Sequence, residues 1–242
     1  MANLLVEIGN TAVKAAWAED SVLGKTFRYQ GEKVLDFIVS LTEKQMPLVM
    51  TVASVRKISA EEEIRLKSAC QHLLLMDSSH QDILSSYGIP DYLSYDRGAS
   101  LVAAQNLFKG KSCTVFDLGT TLTVDYMDGQ GHYLGGNISL GCRTRFKALN
   151  RYSKALPLVN TPEECKFPGD SVKGSIESGV ISGIMFEIDG YIKSNPENIV
   201  IFTGGDAIFF AKRMKNSIFV VCNLGLMGLA IITEDYAKKN IQ

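Results

Sequence analysis

Two short stretches of the chain place an acid, a glycine and a threonine between apolar segments. They are Glu7–Thr11 in "LLVEIGNTAVKAAW" and Asp117–Thr121 in "TVFDLGTTLTVDYM". A glycine between two strands lets the chain turn with positive φ, and small hydroxyl neighbours leave backbone N–H groups exposed inside the turn. Such a turn can hold a phosphate oxygen. Because a lone carboxylate beside it would repel phosphate, the pattern also predicts a cation between the two.

The two stretches match position for position, which indicates two copies of one structural unit. Either turn alone is equally well explained as a plain hairpin with a polar tip. Their repetition favours a nucleoside triphosphate with magnesium, held at each end by one lobe. The predicted lobes are residues 1–111 and 112–242. The aligned pairs are Glu7 with Asp117, Gly9 with Gly119, and Thr11 with Thr121.

A third stretch, "FTGGDA" at 202–207, reads as a strand that ends in two glycines and passes directly into a helix. Glycines there allow a flat ligand to approach the backbone, and a helix N-terminus favours an anion. A double glycine also commonly packs a strand against a helix. The position of this stretch after the second turn favours contact with a nucleotide.

Asp96 and Arg97 offer a carboxylate and a cation side by side. A carboxylate can accept the proton of an alcohol during phosphoryl transfer, and an arginine can bind the carboxylate or amide of a small acid. The alternative is an exposed ion pair at the start of a helix, where acids are common. Tyr87, seven residues before Ser94, favours the catalytic interpretation.

The elements that must position these residues alternate between strands and helices, which predicts an α/β fold. Ser59, followed by acids, is a good helix start. A turn is predicted at 129–131. Strands are predicted at 4–8, 11–17, 48–54, 72–77, 113–119, 121–128, 131–139 and 198–206, and helices at 32–44, 59–71, 97–108, 175–195 and 207–214, with a last strand, turn and helix from 217.

Composition excludes several classes of function. Twenty-five basic and 26 acidic side chains give a net charge of −1, which favours neither nucleic acid nor an anionic membrane as a partner. The first acid follows a run of only three apolar residues, which argues against a signal peptide. The apolar run from Ser217 is shorter than the roughly 20 residues that a membrane-spanning helix needs. We therefore expect a soluble protein that is not bound to membranes.

Cysteine and histidine spacing argues against a disulfide framework and a zinc site. The number of cysteines is odd, none forms a CxxC pair, and the histidines lack the spacing of metal ligands. We expect reduced, mostly buried thiols in a cytoplasmic protein. The residues are Cys70, Cys113, Cys142, Cys165, Cys222, His72, His80 and His132.

In combination, these motifs resemble the superfamily of acetate and sugar kinases, heat-shock chaperone ATPases and actin, and within it type III pantothenate kinase. The motifs follow the family's order across nearly the whole chain. The resemblance implies an α/β fold of duplicated ribonuclease H-like (actin-like ATPase) lobes, with mixed sheets flanked by helices and a central cleft holding the active site. The matching segments are 7–14 ("EIGNTAVK"), Tyr87, 94–97 ("SYDR"), 117–125 ("DLGTTLTVD"), 135–149 ("GGNISLGCRTRFKAL"), 175–179 ("SIESG") and 203–206 ("TGGD").

The resemblance implies ATP-dependent phosphorylation of pantothenate to 4'-phosphopantothenate, the first step of coenzyme A biosynthesis, with Mg²⁺ and a monovalent cation, K⁺ or NH₄⁺. Asp96 would be the base and Asp117 would hold the monovalent cation. ATP would contact Glu7, Ile8, Gly9, Asn10, Thr11, Ala12, Val13, Lys14 and Thr120. Pantothenate would contact Tyr87, Ser94, Tyr95, Asp96, Arg97 and Val172.

The same resemblance implies a homodimer whose pantothenate site is completed near the dimer interface. The helix from Gly98 and the helix from Ser175 are apolar enough to be interface elements, although core packing explains them equally well.

Four positions depart from the family pattern. Glu7 replaces an aspartate and would carry its carboxylate about an ångström further into the phosphate site. Ser94 replaces a glycine and would resist a positive φ. Leu140 replaces a proline, and Val172 replaces a threonine whose hydroxyl would bind pantothenate.

Two other functions fit the same fold. One is a non-catalytic regulator descended from a kinase, for which altered loops are expected. The other is a sugar kinase of the superfamily, which would accept a hexose. ADP release with ATP, magnesium, potassium or ammonium, and pantothenate distinguishes the pantothenate kinase from both.

Overall fold

The computed structural model describes residues 2–77 and 82–241, except for the side chain of Asp82. His80, to which the sequence gives no role, lies outside these residues. The chain forms two compact units. The first contains the described residues up to Lys109, Gly131–Tyr133, and those from Asn223 onward; the second contains Gly110–Gln130 and Leu134–Cys222.

The first unit is built on a five-stranded sheet whose order is β3-β2-β1-β4-β5. β1 pairs antiparallel with β2 and parallel with β4. Central strands read as continuous apolar runs because both of their faces are covered, whereas the edge strand β3 is largely exposed. The strands are β1 (Asn3–Ile8), β2 (Val13–Glu19), β3 (Val22–Tyr29), β4 (Val49–Ser54) and β5 (His72–Met76).

The second unit contains a five-stranded sheet of order β10-β9-β6-β7-β8. β6 pairs antiparallel with β7 and parallel with β9. The first residue of β8, Tyr133, groups with the first unit. The strands are β6 (Cys113–Leu118), β7 (Thr121–Met127), β8 (Tyr133–Leu140), β9 (Ile199–Thr203) and β10 (Phe219–Val220).

The two sheets have the same topology, which confirms the predicted duplicated α/β fold. In both, the first strand is central, with an antiparallel hairpin on one side and parallel strands on the other. Glu7 and Asp117 occupy the fifth position of β1 and β6. The predicted lobes, 1–111 and 112–242, stay a prediction, while the compact units divide the chain after Lys109 and group the final helix with the first unit.

Eight helices flank the sheets in the part of the chain that the structure describes. The start predicted at Ser59 is confirmed: Ser59 Oγ accepts from the Glu62 N–H, and the Glu62 carboxylate accepts from the Ser59 N–H, a capping box. The helices are α1 (Val34–Ser40), α2 (Ala60–Lys67), α3 (Asp82–Ser85), α4 (Tyr95–Leu107), α5 (Cys142–Tyr152), α6 (Val172–Ser194), α7 (Ala207–Ala211) and α8 (Leu224–Asn240).

Helices α4 and α8 pack closely against each other in the first unit because both carry small residues where they meet. Gly228 of α8 sits so near α4 that a Cβ there would lie 1.7 Å from the Ala99 carbonyl oxygen. Buried threonine hydroxyls of β4 and α8, Thr51 and Thr233, lie 2.6 Å apart and share a hydrogen bond. Core packing therefore accounts for the apolar side chains of α4.

The core of the second unit lies between its sheet and α6. Four phenylalanines of this core are fully buried, and seven residues of α6 face inward. The apolar run from Ser217 forms the predicted strand, turn and helix, namely β10 and the start of α8. Within the described residues, none of the helices has the length and apolar character that crossing a membrane requires.

Candidate active site

The first turn joins β1 to β2 through residues 9–12. Its closing hydrogen bond runs from the Gly9 N–H to the Ala12 carbonyl oxygen at 3.1 Å. Asn10 and Thr11 are exposed at the tip, whereas the side chains of Ile8 and Val13 are buried. Of the residues predicted to contact ATP in this segment, Ile8 and Val13 can therefore do so only through their backbone.

The prediction of positive φ in the two turns is wrong. Neither Gly9 nor Gly119 has a positive φ, whereas Gly204, which packs against the second turn, has a φ of 91°. A Cβ on Gly9 would lie 3.3 Å from the Ala12 carbonyl oxygen, a tight contact. Glycine is therefore needed at this position because the hairpin tip is closely packed. The residue type alone does not distinguish this need for space from a need for a left-handed backbone.

Glu7 is a largely buried carboxylate, with its side chain 16% exposed, and a cation lies across the hairpin from it. Lys14, its cross-strand partner, places Nζ 3.7 Å from Glu7 Oε1. Burial raises the pKa of Glu7, Lys14 opposes that shift, and the negative charge of Asp96 adds to it. The structure therefore brings Glu7, Lys14 and Asp96 into one electrostatic group within the first unit.

The extra methylene of Glu7 is accommodated by a glycine of α8. A Cβ on Gly225 would lie 3.3 Å from Glu7 Oε2 and 3.6 Å from Ser100 Oγ. Sequence reasoning missed this contact because 218 residues separate the two positions along the chain (225 − 7). The longer side chain of Glu7 therefore fits because the facing residue of α8 is a glycine.

Asp96 lies in the first turn of α4, two residues after the N-cap Ser94. Its Oδ1 accepts a hydrogen bond from the Arg97 N–H at 2.9 Å, and its carbonyl oxygen accepts one from Ser100 Oγ at 2.9 Å. Ser94 has φ −64° and ψ 148°, an extended conformation open to any residue. The expectation that serine would resist the backbone at this position is therefore wrong.

Tyrosine side chains lie at the start of α4 and against its Arg97. Arg97 Nη2 donates to Tyr133 Oη at 3.2 Å, and the ring of Tyr133 meets the exposed ring of Tyr92 edge-on at 6.3 Å. Tyr95 is only 6% exposed, so its side chain belongs to the core. Tyr87 donates to Asp235 of α8 at 2.7 Å. Tyr133 and Asp235 were not predicted, because they come from distant segments without a motif.

The second turn, between β6 and β7, is held from one side by α5. The Gly119 N–H donates to the Thr121 carbonyl oxygen at 3.0 Å. Two donors of α5 and its N-cap converge on the Thr120 carbonyl oxygen, the Gly141 N–H at 3.1 Å and Thr144 Oγ1 at 2.6 Å. A Cβ on Gly141 would lie 2.0 Å from the Gly119 carbonyl oxygen, so only glycine fits there.

Leu140, at the position of the family's proline, ends β8 immediately before this glycine. Its carbonyl oxygen accepts a hydrogen bond from Arg145 Nε at 2.8 Å. The start of α5 is therefore fixed by Arg145 and Gly141 without a proline.

The "TGGD" stretch, residues 203–206, packs directly against Asp117. A Cβ on Gly204 would lie 2.4 Å from Asp117 Oδ1 and 2.6 Å from the Leu118 carbonyl oxygen. The Asp206 N–H donates to that same carbonyl at 2.9 Å. Burial raises the pKa of Asp206. The "TGGD" stretch and the second turn thus form one continuous surface.

Oxygen-bearing side chains stand in register beside Asp117. Thr123 of β7 and Thr203 of β9 are its partners on the two neighbouring strands. Thr123 is 7% exposed, and its Oγ1 is the buried side-chain polar atom for which the described residues provide no hydrogen-bond partner. A buried hydroxyl without a partner is costly and points to a ligand. The strand alternation could have suggested Thr123, but the register could not be read from the sequence.

Val172 begins α6, behind the N-cap Ser171, whose Oγ accepts from the Gly174 N–H at 3.1 Å. The side chain of Val172 is 61% exposed. The helix predicted from Ser175 therefore starts three residues earlier (175 − 172).

No cluster of three or more histidine, cysteine, aspartate or glutamate side chains suited to a metal occurs among the described residues. The five cysteines are free thiols. Carboxylates near the two turns occur singly or in pairs, an arrangement in which a cation takes its remaining ligands from phosphate and water.

Comparison with known proteins identifies the family. A family model described as type III pantothenate kinase matches residues 3–194. The type III pantothenate kinase of Flavobacterium johnsoniae is 36% identical over 235 residues, which cover 94% of this chain and 95% of that protein. The one from Phocaeicola vulgatus is 37% identical over 234 residues, covering 94% of this chain and 96% of that protein.

Solved structures with the same fold are more distant in sequence. A protein described as a Baf family transcriptional activator from Campylobacter jejuni has a TM-score of 0.66 at 20% identity, covering 97% of this chain and 99% of its own. A 2-hydroxyisocaproyl-CoA dehydratase activator from Clostridium difficile with bound ADPNP has a TM-score of 0.60 at 14% identity, covering 100% of this chain and 97% of its own. These similarities support the fold alone. With its turns, its Asp96 and near full-length similarity to curated kinases, the chain belongs to the type III pantothenate kinase family, whose members phosphorylate pantothenate with ATP in coenzyme A biosynthesis.

Proposed function

We propose that this chain transfers the γ-phosphoryl group of ATP to the primary hydroxyl of pantothenate, with Asp96 as the general base. The observation that carries the assignment is the electrostatic grouping of Asp96 with the Glu7–Lys14 hairpin in the first unit. Phosphoryl transfer requires alignment, charge neutralisation and a proton acceptor, and this group offers all three.

In the proposed reaction, the carboxylate of Asp96 accepts the proton of the pantothenate hydroxyl as its oxygen bonds to the γ-phosphorus. The bond from that phosphorus to the bridging oxygen breaks, and ADP leaves with the electron pair. The hydrogen bond from the Arg97 N–H to Asp96 Oδ1 fixes the carboxylate, and Oδ2 would face the alcohol.

ATP would be held by residues 7–14 and Thr120. Lys14 is half-buried beside Glu7 and would place its positive charge on a phosphate oxygen. The exposed Asn10 and Thr11 would approach the phosphates through side chains and N–H groups. Thr120, exposed at the second turn, would contact a phosphate of the nucleotide.

Mg²⁺ would be held through Glu7, whose buried carboxylate gains from a nearby cation because burial alone disfavours its charge. When bound, Mg²⁺ neutralises charge on the transferring phosphates. A single protein carboxylate is enough for an ion that usually keeps waters and phosphate oxygens as ligands.

The monovalent cation, K⁺ or NH₄⁺, would be held at Asp117. The residues fit such an ion, since Thr123, the cross-strand partner of Asp117, has a buried hydroxyl without a partner among the described residues. Cross-strand Cβ atoms lie about 5 Å apart, which suits two oxygens that share one cation. When bound, the cation offsets the negative charge that Asp117 brings to a nucleotide.

Pantothenate would be held by the start of α4 and its aromatic neighbours. Arg97 would bind its carboxylate, Tyr87 would pack its ring against the chain of the substrate, and Ser94 and the buried Tyr95 would contribute backbone groups. Val172 would take part as an apolar contact, since it lacks the hydroxyl expected at its position.

We propose further that the protein works as a homodimer in the cytoplasm, where ATP is supplied. The second unit exposes apolar side chains suited to an interface: Phe186 of α6 is 66% exposed and meets the ring of Phe167 edge-on at 6.3 Å. A monomeric mass by light scattering would refute the dimer.

The test is ADP release by purified protein with ATP, Mg²⁺, K⁺ or NH₄⁺, and pantothenate. We expect turnover that depends on pantothenate and produces 4'-phosphopantothenate by mass spectrometry. A folded protein without turnover would instead support a regulator, and turnover with a hexose in place of pantothenate would support a sugar kinase.

A further inference from the structure

Thr144 of α5 contacts the second turn without belonging to any residue set predicted to bind a ligand. Its Oγ1 donates to the Thr120 carbonyl oxygen at 2.6 Å, a short and therefore strong hydrogen bond. The Gly141 N–H donates to the same oxygen at 3.1 Å. Both lone pairs of this carbonyl are thus engaged by α5 and its N-cap.

This geometry fixes the orientation of the turn. Only Gly119 and Thr120 connect β6 to β7, so one anchored carbonyl determines much of the loop. Because a trans peptide is planar, fixing the Thr120 carbonyl also fixes the N–H of Thr121, which belongs to the same peptide. The Thr120 side chain then projects from a backbone with little remaining freedom.

The first turn of α5, which carries Thr144, is held in place by contacts with neighbouring elements. Arg145 pairs with Glu187 of α6, and its Nη2 donates to Ser139 Oγ at 3.2 Å. Ser139 Oγ donates in turn to Glu187 Oε1 at 2.7 Å. The first turn of α5 is therefore bonded to both β8 and α6. Through its hydrogen bond to Thr120, Thr144 connects this fixed part of α5 to the turn between β6 and β7.

We infer that Thr144 is a positioning residue for nucleotide binding, acting through Thr120 rather than by touching ATP. This inference rests on the proposed role of Thr120 in holding the nucleotide. The alternative is that the hydrogen bond only helps α5 to pack, in which case its loss would reduce stability and leave substrate affinities unchanged.

The first experiment compares Thr144→Val, which removes the donor at nearly constant volume, with Thr144→Ser, which keeps it. We expect Thr144→Val to raise KM for ATP by about 3- to 10-fold, the range for one lost hydrogen bond, with KM for pantothenate within about twofold. Thr144→Ser should restore KM for ATP to within about twofold of wild type. An unchanged KM for ATP in Thr144→Val, an equal rise for both substrates, or failure of serine to rescue would each overturn the inference.

A double-mutant cycle with Thr120→Ala tests the route of the effect. If Thr144 acts by orienting the Thr120 side chain, Thr144→Val should raise KM for ATP by less than about twofold in the Thr120→Ala background. Full additivity of the two substitutions would overturn the inference. Should Thr144→Val fail to fold, Thr144→Ala takes its place in both comparisons.

Calorimetric titration with adenylyl imidodiphosphate separates this inference from the proposed function. If wild-type protein binds the analogue but does not turn over pantothenate, the proposed function fails and Thr144→Val must still weaken analogue binding by about 3- to 10-fold. If turnover is normal and analogue binding by Thr144→Val equals that of wild type, the inference fails and the function stands.

Discussion

The hydroxyl of Tyr87 donates its hydrogen to Oδ2 of Asp235 across 2.7 Å. Burial raises the pKa of Tyr87, and the bond to the Asp235 carboxylate raises it further. The phenol is therefore neutral at any physiological pH, with its hydrogen already committed. A ligand at this position meets the ring and the oxygen lone pairs of Tyr87.

Tyr87→Phe should consequently affect stability more than substrate affinity. Loss of a hydrogen bond to a charged acceptor lowers the free energy of unfolding by about 1.5 to 3 kcal/mol, while KM for pantothenate changes less than about threefold. Urea denaturation and steady-state kinetics measure the two effects, with Asp235→Asn as the variant that keeps an acceptor. A tenfold rise in KM with unchanged stability would show that the hydroxyl donates to the substrate.

Asp96→Asn should preserve folding and binding of an ATP analogue while lowering kcat by about 100-fold or more, because the amide cannot accept a proton. Single-turnover kinetics and calorimetry measure the two properties. Asp91→Asn is the matched control, since Asp91 is an exposed acid five residues earlier (96 − 91) and should leave kcat unchanged. A loss below about tenfold in Asp96→Asn would remove Asp96 as the base.

Glu7 should make the protein less stable as the pH rises. Its pKa in the folded state is raised above the ordinary value of 4.5 by burial, so the folded state holds the proton more tightly than the unfolded state. The resulting stabilisation is present below pH 4.5 and is lost as the pH rises through the folded pKa. Glu7→Gln should therefore be more stable than wild type at pH 8, with a difference that shrinks towards pH 4.5.

Urea midpoints between pH 4.5 and 8 measure this difference. Glu43→Gln, which removes an exposed carboxylate of the same unit, serves as the control and should show little change. If Glu7→Gln is less stable than wild type at pH 8, the pair with Lys14 outweighs the cost of burial.

Gly225→Ala should impair ATP binding in wild type and be tolerated in Glu7→Asp. A Cβ at 225 would lie 3.3 Å from Glu7 Oε2, and the shorter acid withdraws from that contact. We expect KM for ATP to rise by about 2- to 10-fold in Gly225→Ala alone, for a displacement costing about 0.5 to 1.5 kcal/mol. Additive effects of the two substitutions would show that Gly225 does not accommodate the longer side chain.

Thr123→Val should abolish most of the thermal stabilisation that K⁺ gives. Wild-type Tm should rise in KCl relative to choline chloride at equal ionic strength, because a cation that binds the folded state stabilises it. Without K⁺ the variant should be at least as stable as wild type, since valine removes a hydroxyl that has no partner among the described residues. An equal K⁺ effect in both proteins would exclude Thr123 as a ligand.

The duplicated hairpins and the succession of strands and helices along the chain were predictable because their signals are local. Glu7 and Asp117 each end a run of apolar residues, and a turn follows within a few positions. Strand alternation and glycine position carry such information directly. The capping box at Ser59 was readable for the same reason.

Contacts between distant segments were not predictable. Gly225 beside Glu7, Asp235 beside Tyr87, and Thr144 on the second turn each depend on packing that no short pattern records. The conformation of Ser94 was misjudged because glycine at that position in relatives suggests a left-handed backbone, whereas the structure is extended. Residue type alone does not separate a need for space from a need for positive φ.

The dependence of the first unit on α8 has a consequence for biosynthesis. The ribosome synthesises residues 110–222 before it reaches α8. Of these residues, only Gly131–Tyr133 belong to the first unit. Until then, α4 lacks the helix that covers Ala99, and small apolar side chains stay open to water. The first unit can therefore complete its fold only after the ribosome has synthesised α8, at the far end of the sequence from β1.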